Sequence, residues 1–338
     1  MTTEITTKFG PFFESLRQRG RLTLREFCRR AGCDPANISR MERGTVPPPK
    51  AREILERYAL ALGLQAGTDD WYTFFDLAAV DQGMMPADIM SNEELVGALP
   101  AFFRTLRGQK PTPTRCDASP RRSGRAGSEM SVVPERFRAP YITPQKAWAE
   151  ADRIRAAHWP SGTVPVEVEE ILWLVGLRLE PLQSLKEAGD VDALLRGDLT
   201  TIVVDNDEYM DDRMLNRIRF SIAHELGHFA LHAEVYRGIS HASVDEWIDF
   251  VERVPEDQWG YMEQQAYEFA GRLLVPVERL KTELATAAKG AEAAGFTAWD
   301  QSGDAAREYV ASSFCRVFGV SSQVIEKRLI REKLWPPA

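Results

Sequence analysis

The chain has 338 residues, 44% of them hydrophobic and 27% charged, a composition typical of a globular protein long enough for two domains. Its longest dense apolar run, ILWLVGL at 171–177, is far shorter than the ~20 residues that cross a bilayer. The start MTTEITTKFGPFF lacks the pattern of a secretory signal, and four scattered cysteines without CxxC spacing favour free thiols. We therefore expect a cytoplasmic protein with no membrane partner.

The charge is unevenly distributed along the chain. Residues 1–66 hold twelve Lys and Arg against seven Asp and Glu, whereas residues 139–338 carry a net charge of −12. Between them, the stretch GQKPTPTRCDASPRRSGRAGSE at 108–129 contains no Ile, Leu, Val, Met or aromatic residue and has nothing to bury. The composition predicts a basic first module suited to nucleic acid, a flexible linker, and an acidic second module.

The first module begins with two helical patterns joined by a tight turn. TLREFCRRAG opens with Thr23 and Glu26 in the spacing of a capping box and ends at Gly32. DPANISRMERG opens with Asp34 as a predicted N-cap and ends at Gly44. A helix precedes this pair and a third amphipathic helix, AREILERYALALGL, follows it, so we expect an all-α bundle with a helix-turn-helix.

Residues 9–66 resemble the phage-repressor-like (Xre) helix-turn-helix family, and DDWYTFFDLAAVDQGMMPADI with LPAFFRTLRG resembles a helical extension found in one subgroup. The resemblance implies operator DNA as a partner, with the second helix of the motif in the major groove. It implies the base-contacting residues Ala36, Asn37, Ser39 and Arg40, with Thr23 and Arg25 near phosphates. A helical bundle that contacts protein instead of DNA is the alternative.

The sequence of the second module predicts one helix at 143–159 and a second helix, in VEVEEILWLVGLRL, that ends near Gly176. Three β-prone runs follow at 177–182, 191–197 and 200–207. Gly-Asp pairs separate the later runs, which favours a small antiparallel meander. DDRMLNRIRFSIAHELGHFALH then has the apolar spacing of one long helix. The expected fold class of the whole chain is mainly α with a small β-sheet.

The long helix carries three of the five histidines within nine residues. His224 and His228 are four residues apart and project from one face, as two ligands of a single Zn²⁺ ion require. Glu225 follows the first histidine and can take a proton from a zinc-bound water, whose pKa falls to about 7. The composition predicts only ~0.01 such H-[DE]-x-x-H matches by chance. We interpret the stretch as a zinc site.

A third ligand is predicted on the later helix WGYMEQQAYEFAGRLLVP, which ends at Pro276. Glu263 lies beside the apolar stripe of this helix, and Glu268 is the competing carboxylate. Two histidines and one glutamate leave a coordination position open, as in catalytic sites of the thermolysin type.

The stretches IRFSIAHELGHFALH and ME-x-x-AYEFAGRLLVP resemble the ImmA/IrrE family of HExxH metallopeptidases over residues 140–280, and the C-terminal YVASSFCRVFGVSSQVIEKRLIREKL resembles its closing helical pair. In the family pattern, an Asn or Asp follows the ligand glutamate by four residues, whereas Tyr267 stands there in this chain. The resemblance places His232 behind the ligands or beside the substrate, and we group Tyr267 with it as a candidate oxyanion donor. Packing of His232 against Phe229 is the structural alternative.

Together the resemblances imply four regions: 1–107, a helix-turn-helix domain with its extension; 108–129, the linker; 130–280, the metallopeptidase domain; and 281–338, its helical C-terminal part. They imply a transcriptional regulator linked to a zinc endopeptidase that cleaves a helix-turn-helix repressor or its own regulatory partner, in a stress-response, mobile-element or toxin–antitoxin setting. A homodimer is left open. The alternative, favoured by Tyr267, is a non-catalytic regulator or toxin–antitoxin fusion whose second half senses a ligand or binds a partner.

Overall fold

The computed structural model describes residues 8–85, 90, 137–189, 191–237, 244–293, 295 and 299–337. In these ranges the protein is mainly helical with one three-stranded sheet, which confirms the expected fold class. The chain divides into two compact units, residues 1–33 with 40–130 and residues 34–39 with 131–338. The predicted linker and the segment LPAFFRTLRG lie outside the described residues. Among the described helices, none is long and apolar enough to span a bilayer.

The N-terminal helices are α1 (Phe9–Arg19), α2 (Leu24–Ala31), α3 (Pro35–Glu42), α4 (Arg52–Ala61) and α5 (Asp69–Asp81). The predicted helix signals act as expected: the Thr23 hydroxyl accepts a hydrogen bond from the amide of Glu26 at 3.0 Å, and Asp34 accepts one from the amide of Asn37 at 3.0 Å. Gly32 ends α2 with φ of +60°, a conformation that glycine adopts without steric cost. The helix-turn-helix pair α2–α3 therefore follows from local sequence.

An aromatic cluster and one buried ion pair hold the first unit together. The rings of Phe13 and Phe27 meet edge to face at 5.0 Å, and Tyr58 packs on Phe27 at 5.5 Å. Arg17 of α1 donates to Glu42 at 2.7 Å, and both side chains are almost fully buried. Because each charge would be costly to bury alone, this pair ties α1 to the end of α3.

The second unit contains the sheet, formed by β1 (Arg178–Leu182), β2 (Ala193–Leu195) and β3 (Thr201–Asp205). Its order is β1–β3–β2, with β1 parallel and β2 antiparallel to β3. The predicted meander is therefore wrong for β1. The reason is the short helix α8 (Leu185–Gly189): Leu185 packs with Leu194 and Val203, so α8 carries the chain across to the far side of β3.

The helices of the second unit are α6 (Pro144–His158), α7 (Val168–Val175), α8, α9 (Asn206–Met210), α10 (Leu215–Arg237), α11 (Val244–Arg253), α12 (Glu256–Leu274), α13 (Val277–Ala293), α14 (Trp299–Phe318) and α15 (Ser322–Arg331). Helices α10 and α12 cross closely at Gly227, where an added Cβ would lie 3.1 Å from the Cα and carbonyl oxygen of Ala266. The glycine of HELGH thus lets the histidine face of α10 approach α12.

A buried polar network holds α15 against α12 and α6. Glu268 of α12 accepts a hydrogen bond from the indole of Trp148 at 2.8 Å and faces Arg328 and Arg331 at 3.6 and 3.0 Å. Arg272 binds Asp152 of α6 at 2.6 Å. The predicted C-terminal helical pair is present as α14 and α15, and it packs as an integral part of the second unit.

Candidate metal centre

The two histidines of the HExxH stretch lie one turn apart on α10, and their Nε2 atoms are 3.1 Å apart. The imidazole of His228 is almost completely buried, whereas 16% of the His224 side chain is exposed. Both ring nitrogens therefore converge on one point at the border between the protein interior and a cleft.

Glu263 reaches the same point from α12. One of its carboxylate oxygens lies 3.0 Å from Nε2 of His224, and the other lies 3.2 Å from Nε2 of His228. Glu268, the competing carboxylate, is turned toward Trp148 and the arginines of α15. The structure thus brings together His224, His228 and Glu263, the three side chains predicted as ligands. Glu268 lies apart from them.

The spacing of these donor atoms fits a zinc ion. With Zn–N distances of about 2.0–2.1 Å and tetrahedral angles, two ligand atoms of one ion lie about 3.3 Å apart. The observed separations of 3.0–3.2 Å among the two imidazoles and the carboxylate are close to that value. Two imidazole nitrogens and a carboxylate also form a donor set that zinc accepts, so His224, His228 and Glu263 could hold the ion.

Glu225 lies beside this group in a different role. Its carboxylate, His224 and His228 have ligand-type atoms within 4.8 Å of one another. However, Glu225 accepts a hydrogen bond from the backbone amide of Leu195, on β2, at 2.7 Å. The β2 strand thus fixes the orientation of this carboxylate next to the metal position, which suits a proton acceptor better than a ligand.

The electrostatics of the site follow from burial and from the glutamate–histidine contacts. Burial opposes ionisation of Glu263, but its contacts with His224 and His228 outweigh burial and hold the pKa of Glu263 well below its usual range. For His224, burial acts to lower the pKa, and the contact with Glu263 outweighs that effect and raises it. Burial also raises the pKa of Glu225. The site therefore combines one strongly anionic carboxylate with one more readily protonated carboxylate.

His232 lies behind His224 and His228 and is not among the residues that line the cleft. Its Nδ1 is 3.0 Å from Nδ1 of His228, and its Nε2 is 2.8 Å from Oε1 of Gln265. The ring is 1% exposed, and burial lowers its pKa to about 3, so it is neutral. The position favours a supporting role over a substrate-side role. The alternative of simple packing does not explain two hydrogen-bond contacts from one ring.

Tyr267 does not take the place of the family's Asn or Asp. Its ring packs on Phe220 with centroids 4.9 Å apart, and the ammonium of Lys327 lies 4.1 Å from the ring centre. Gln265 and the Leu195 amide, which were not predicted from the sequence, also contact the site. A glutamine inside the apolar stripe of α12 was the available signal for the first, and the second is a backbone group without any sequence signal.

A cleft of about 500 Å³ opens on the metal position within the second unit. Its walls include Ala193 of β2, Phe220 of α10, Trp247 and Val251 of α11, and Trp259 of α12. Trp259 also stacks on His228, with ring centroids 5.9 Å apart and planes 12° apart. An apolar cleft with a few convergent polar groups is the usual form of a ligand or substrate site.

The residues predicted to contact DNA differ in exposure. Asn37 and Arg40 are exposed on α3, whereas Ala36, Ser39 and Arg25 are buried. The hydroxyl of Thr23 caps α2. Asn37 and Arg40 are thus the two predicted base-contacting residues whose side chains are exposed.

A helix-turn-helix bundle followed by a domain with a helix-borne His-Glu-x-x-His site defines a two-part protein. Family models support the same division: residues 8–70 match the helix-turn-helix domain family, and residues 210–329 match the IrrE N-terminal-like domain family of peptidases. Both predicted resemblances are confirmed, although the second match starts later than the predicted 140–280 and includes α14 and α15. No curated protein matches the chain. The chain therefore combines a helix-turn-helix domain with an IrrE-like peptidase-family domain.

Proposed function

We propose that the protein is a DNA-binding regulator whose second domain is a zinc-dependent endopeptidase acting on a helix-turn-helix repressor or on its own regulatory partner. The observation that carries the proposal is the convergence of His224, His228 and Glu263 within 3.0–3.2 Å, with Glu225 beside them and a cleft in front. In this arrangement each residue has a distinct chemical task.

A zinc ion held by these three side chains would supply the positive charge that polarises a scissile carbonyl and acidifies the attacking water. Glu225 then accepts the proton of that water and passes it to the leaving amine, as a general base followed by a general acid. The Leu195 amide holds the Glu225 carboxylate in position for both transfers.

The substrate is proposed to bind as an extended peptide along β2. The Leu195 amide points away from β3, toward Glu225, and backbone groups alternate in direction along a strand. Ala193, two residues earlier, therefore directs its own backbone groups to the same side, away from β3, and this residue lines the cleft. A peptide that pairs with β2 at Ala193 would place its next carbonyl near the metal position.

The first domain is proposed to bring the protein to operator DNA. Asn37 and Arg40 are exposed on the second helix of the motif, and these residue types suit adenine and guanine edges respectively. A homodimer would match an operator with two-fold symmetry, as is usual for repressors of this type.

Arg40→Ala is expected to weaken binding of a specific DNA duplex by ~1–3 kcal/mol and to relax preference at one base pair. The duplex would first be selected by the wild-type chain from a random library, and affinities measured by fluorescence anisotropy at fixed salt. Arg19→Ala, which removes an exposed arginine of α1, serves as the control and should change affinity much less. Unchanged affinity in the Arg40 variant would remove this residue from the base contacts.

For the peptidase proposal, the purified chain would be incubated with Zn²⁺, alone and with a proteome-derived peptide library, and the products read by mass spectrometry. We expect zinc-dependent cuts in library peptides or in the chain near residues 108–130, lost on chelation and restored by added Zn²⁺. A zinc-loaded, folded chain that cuts neither would favour the alternative, a metal-containing sensor. The position of Tyr267, away from the ligands, is the observation that supports that alternative.

A further inference from the structure

A continuous line of hydrogen bonds runs from a backbone carbonyl to Nδ1 of His228, the ring nitrogen opposite the one that faces Glu263 and His224. The carbonyl of Pro140 lies 2.9 Å from Nε2 of Gln265, and Oε1 of Gln265 lies 2.8 Å from Nε2 of His232. Nδ1 of His232 lies 3.0 Å from Nδ1 of His228. Gln265, His232 and His228 are all buried, so water does not compete for these contacts.

The direction of every bond in this line follows from its first member. A carbonyl oxygen carries no proton, so Gln265 must donate its amide N–H to Pro140 and present its oxygen to His232. His232 must then donate from Nε2, and in a neutral imidazole the other nitrogen, Nδ1, is an acceptor. His228 consequently donates from Nδ1, which leaves the lone pair on Nε2 pointing at Glu263 and His224.

We propose that Gln265, anchored by the carbonyl of Pro140, is a positioning residue that sets the tautomers of His232 and His228 so that Nε2 of His228 is permanently available to a metal ion. The inference rests on the proposed zinc site and deepens it. Metal-binding histidines generally donate their second ring N–H to an acceptor that fixes the ring orientation. Here that acceptor is itself a histidine, His232. The orientation of His232 is fixed in turn by Gln265 and, through it, by the carbonyl of Pro140.

The support that α12 gives to His228 comes from Gln265, two residues after Glu263, through His232. The buried amide therefore has a chemical reason for its place in an otherwise apolar helix face.

Gln265→Met keeps the side-chain volume but removes both the acceptor and the donor. We expect it to weaken zinc affinity by about 10–100-fold, the usual effect of losing an outer hydrogen-bond partner. Affinity would be measured by competition with a chromophoric chelator, which does not depend on catalysis. Gln264→Met, on the exposed neighbouring position, is the matched control and should leave affinity unchanged. Gln265→Glu keeps an acceptor for the Nε2–H of His232 but cannot donate to Pro140 as a carboxylate, so we expect it to retain more affinity than Gln265→Met and less than wild type.

The tautomers can be observed directly by ¹⁵N NMR of histidine-labelled, zinc-loaded protein. We expect the wild-type chain to carry the proton on Nε2 in His232 and on Nδ1 in His228, and Gln265→Met to lose the single state of His232. Zinc binding with the opposite tautomer of His232, or unchanged affinity in a folded Gln265→Met variant, would overturn this inference and leave the zinc site intact. The stated tautomers in a chain that binds no zinc would instead overturn the proposed function and leave the hydrogen-bond line standing.

Discussion

Glu225→Gln is expected to leave the fold and zinc content unchanged and to lower the rate of peptide cleavage by about 10²–10⁴-fold, the usual contribution of a general base. Glutamine has nearly the same shape and can still accept the hydrogen bond from the Leu195 amide, so the local structure should persist. What it cannot do is take a proton. The loss should therefore fall on the chemical step rather than on peptide or zinc binding.

The measurement is kcat and KM for a peptide recovered from the library, together with zinc content of the same samples. Glu252→Gln is the matched control, because Glu252 is an exposed acid that lines the same cleft. We expect Glu252→Gln to keep kcat. Substantial cleavage by zinc-loaded Glu225→Gln would show that the proton is handled elsewhere and would contradict the mechanism.

The same variant has an independent readout in the metal-free chain. Because burial raises the folded-state pKa of Glu225 above 4.5, the folded protein holds that proton more tightly than the unfolded chain does. Stability thus falls as pH rises through the folded-state pKa, so Glu225 makes the metal-free protein less stable at neutral pH than it is at acid pH. We expect metal-free Glu225→Gln to melt at a higher temperature than wild type at pH 7, with the difference vanishing below the unfolded-state pKa.

Local sequence was enough to predict the helix-turn-helix and the faces of the long helices. Thr23 and Asp34 act within three residues of themselves, and the spacing of His224 and His228 places them together on any helix. The apolar stripe of the later helix pointed to Glu263, which lies on another helix. The helix caps, the histidine pair and the third carboxylate could each be predicted from a short stretch of sequence.

The features that sequence missed depend on how distant segments meet. The parallel pairing of β1 with β3 is decided by where α8 docks, through Leu185, and not by the strands themselves. The Leu195 amide and the Pro140 carbonyl are backbone groups, which every sequence contains. Their roles become visible only when β2 and the segment before α6 are placed against α10 and α12.

His228→Ala is expected to remove zinc binding almost completely, because it deletes a buried ligand and also breaks the hydrogen bond to His232. Loss of one of three protein ligands should weaken affinity by more than the 10–100-fold expected for an outer partner. His158→Ala, which changes a histidine of α6 outside the motif, is the control and should bind one zinc ion per chain. Retained stoichiometric zinc in folded His228→Ala would place the ion elsewhere.

The ligand set itself is tested most directly by X-ray absorption at the zinc edge of the wild-type protein loaded with one equivalent of Zn²⁺. We expect two imidazole nitrogens and carboxylate or water oxygens at about 2.0–2.2 Å from the zinc ion, with no sulfur neighbour. A first shell containing sulfur at about 2.3 Å, or a shell with no imidazole scattering, would contradict a site formed by His224, His228 and Glu263.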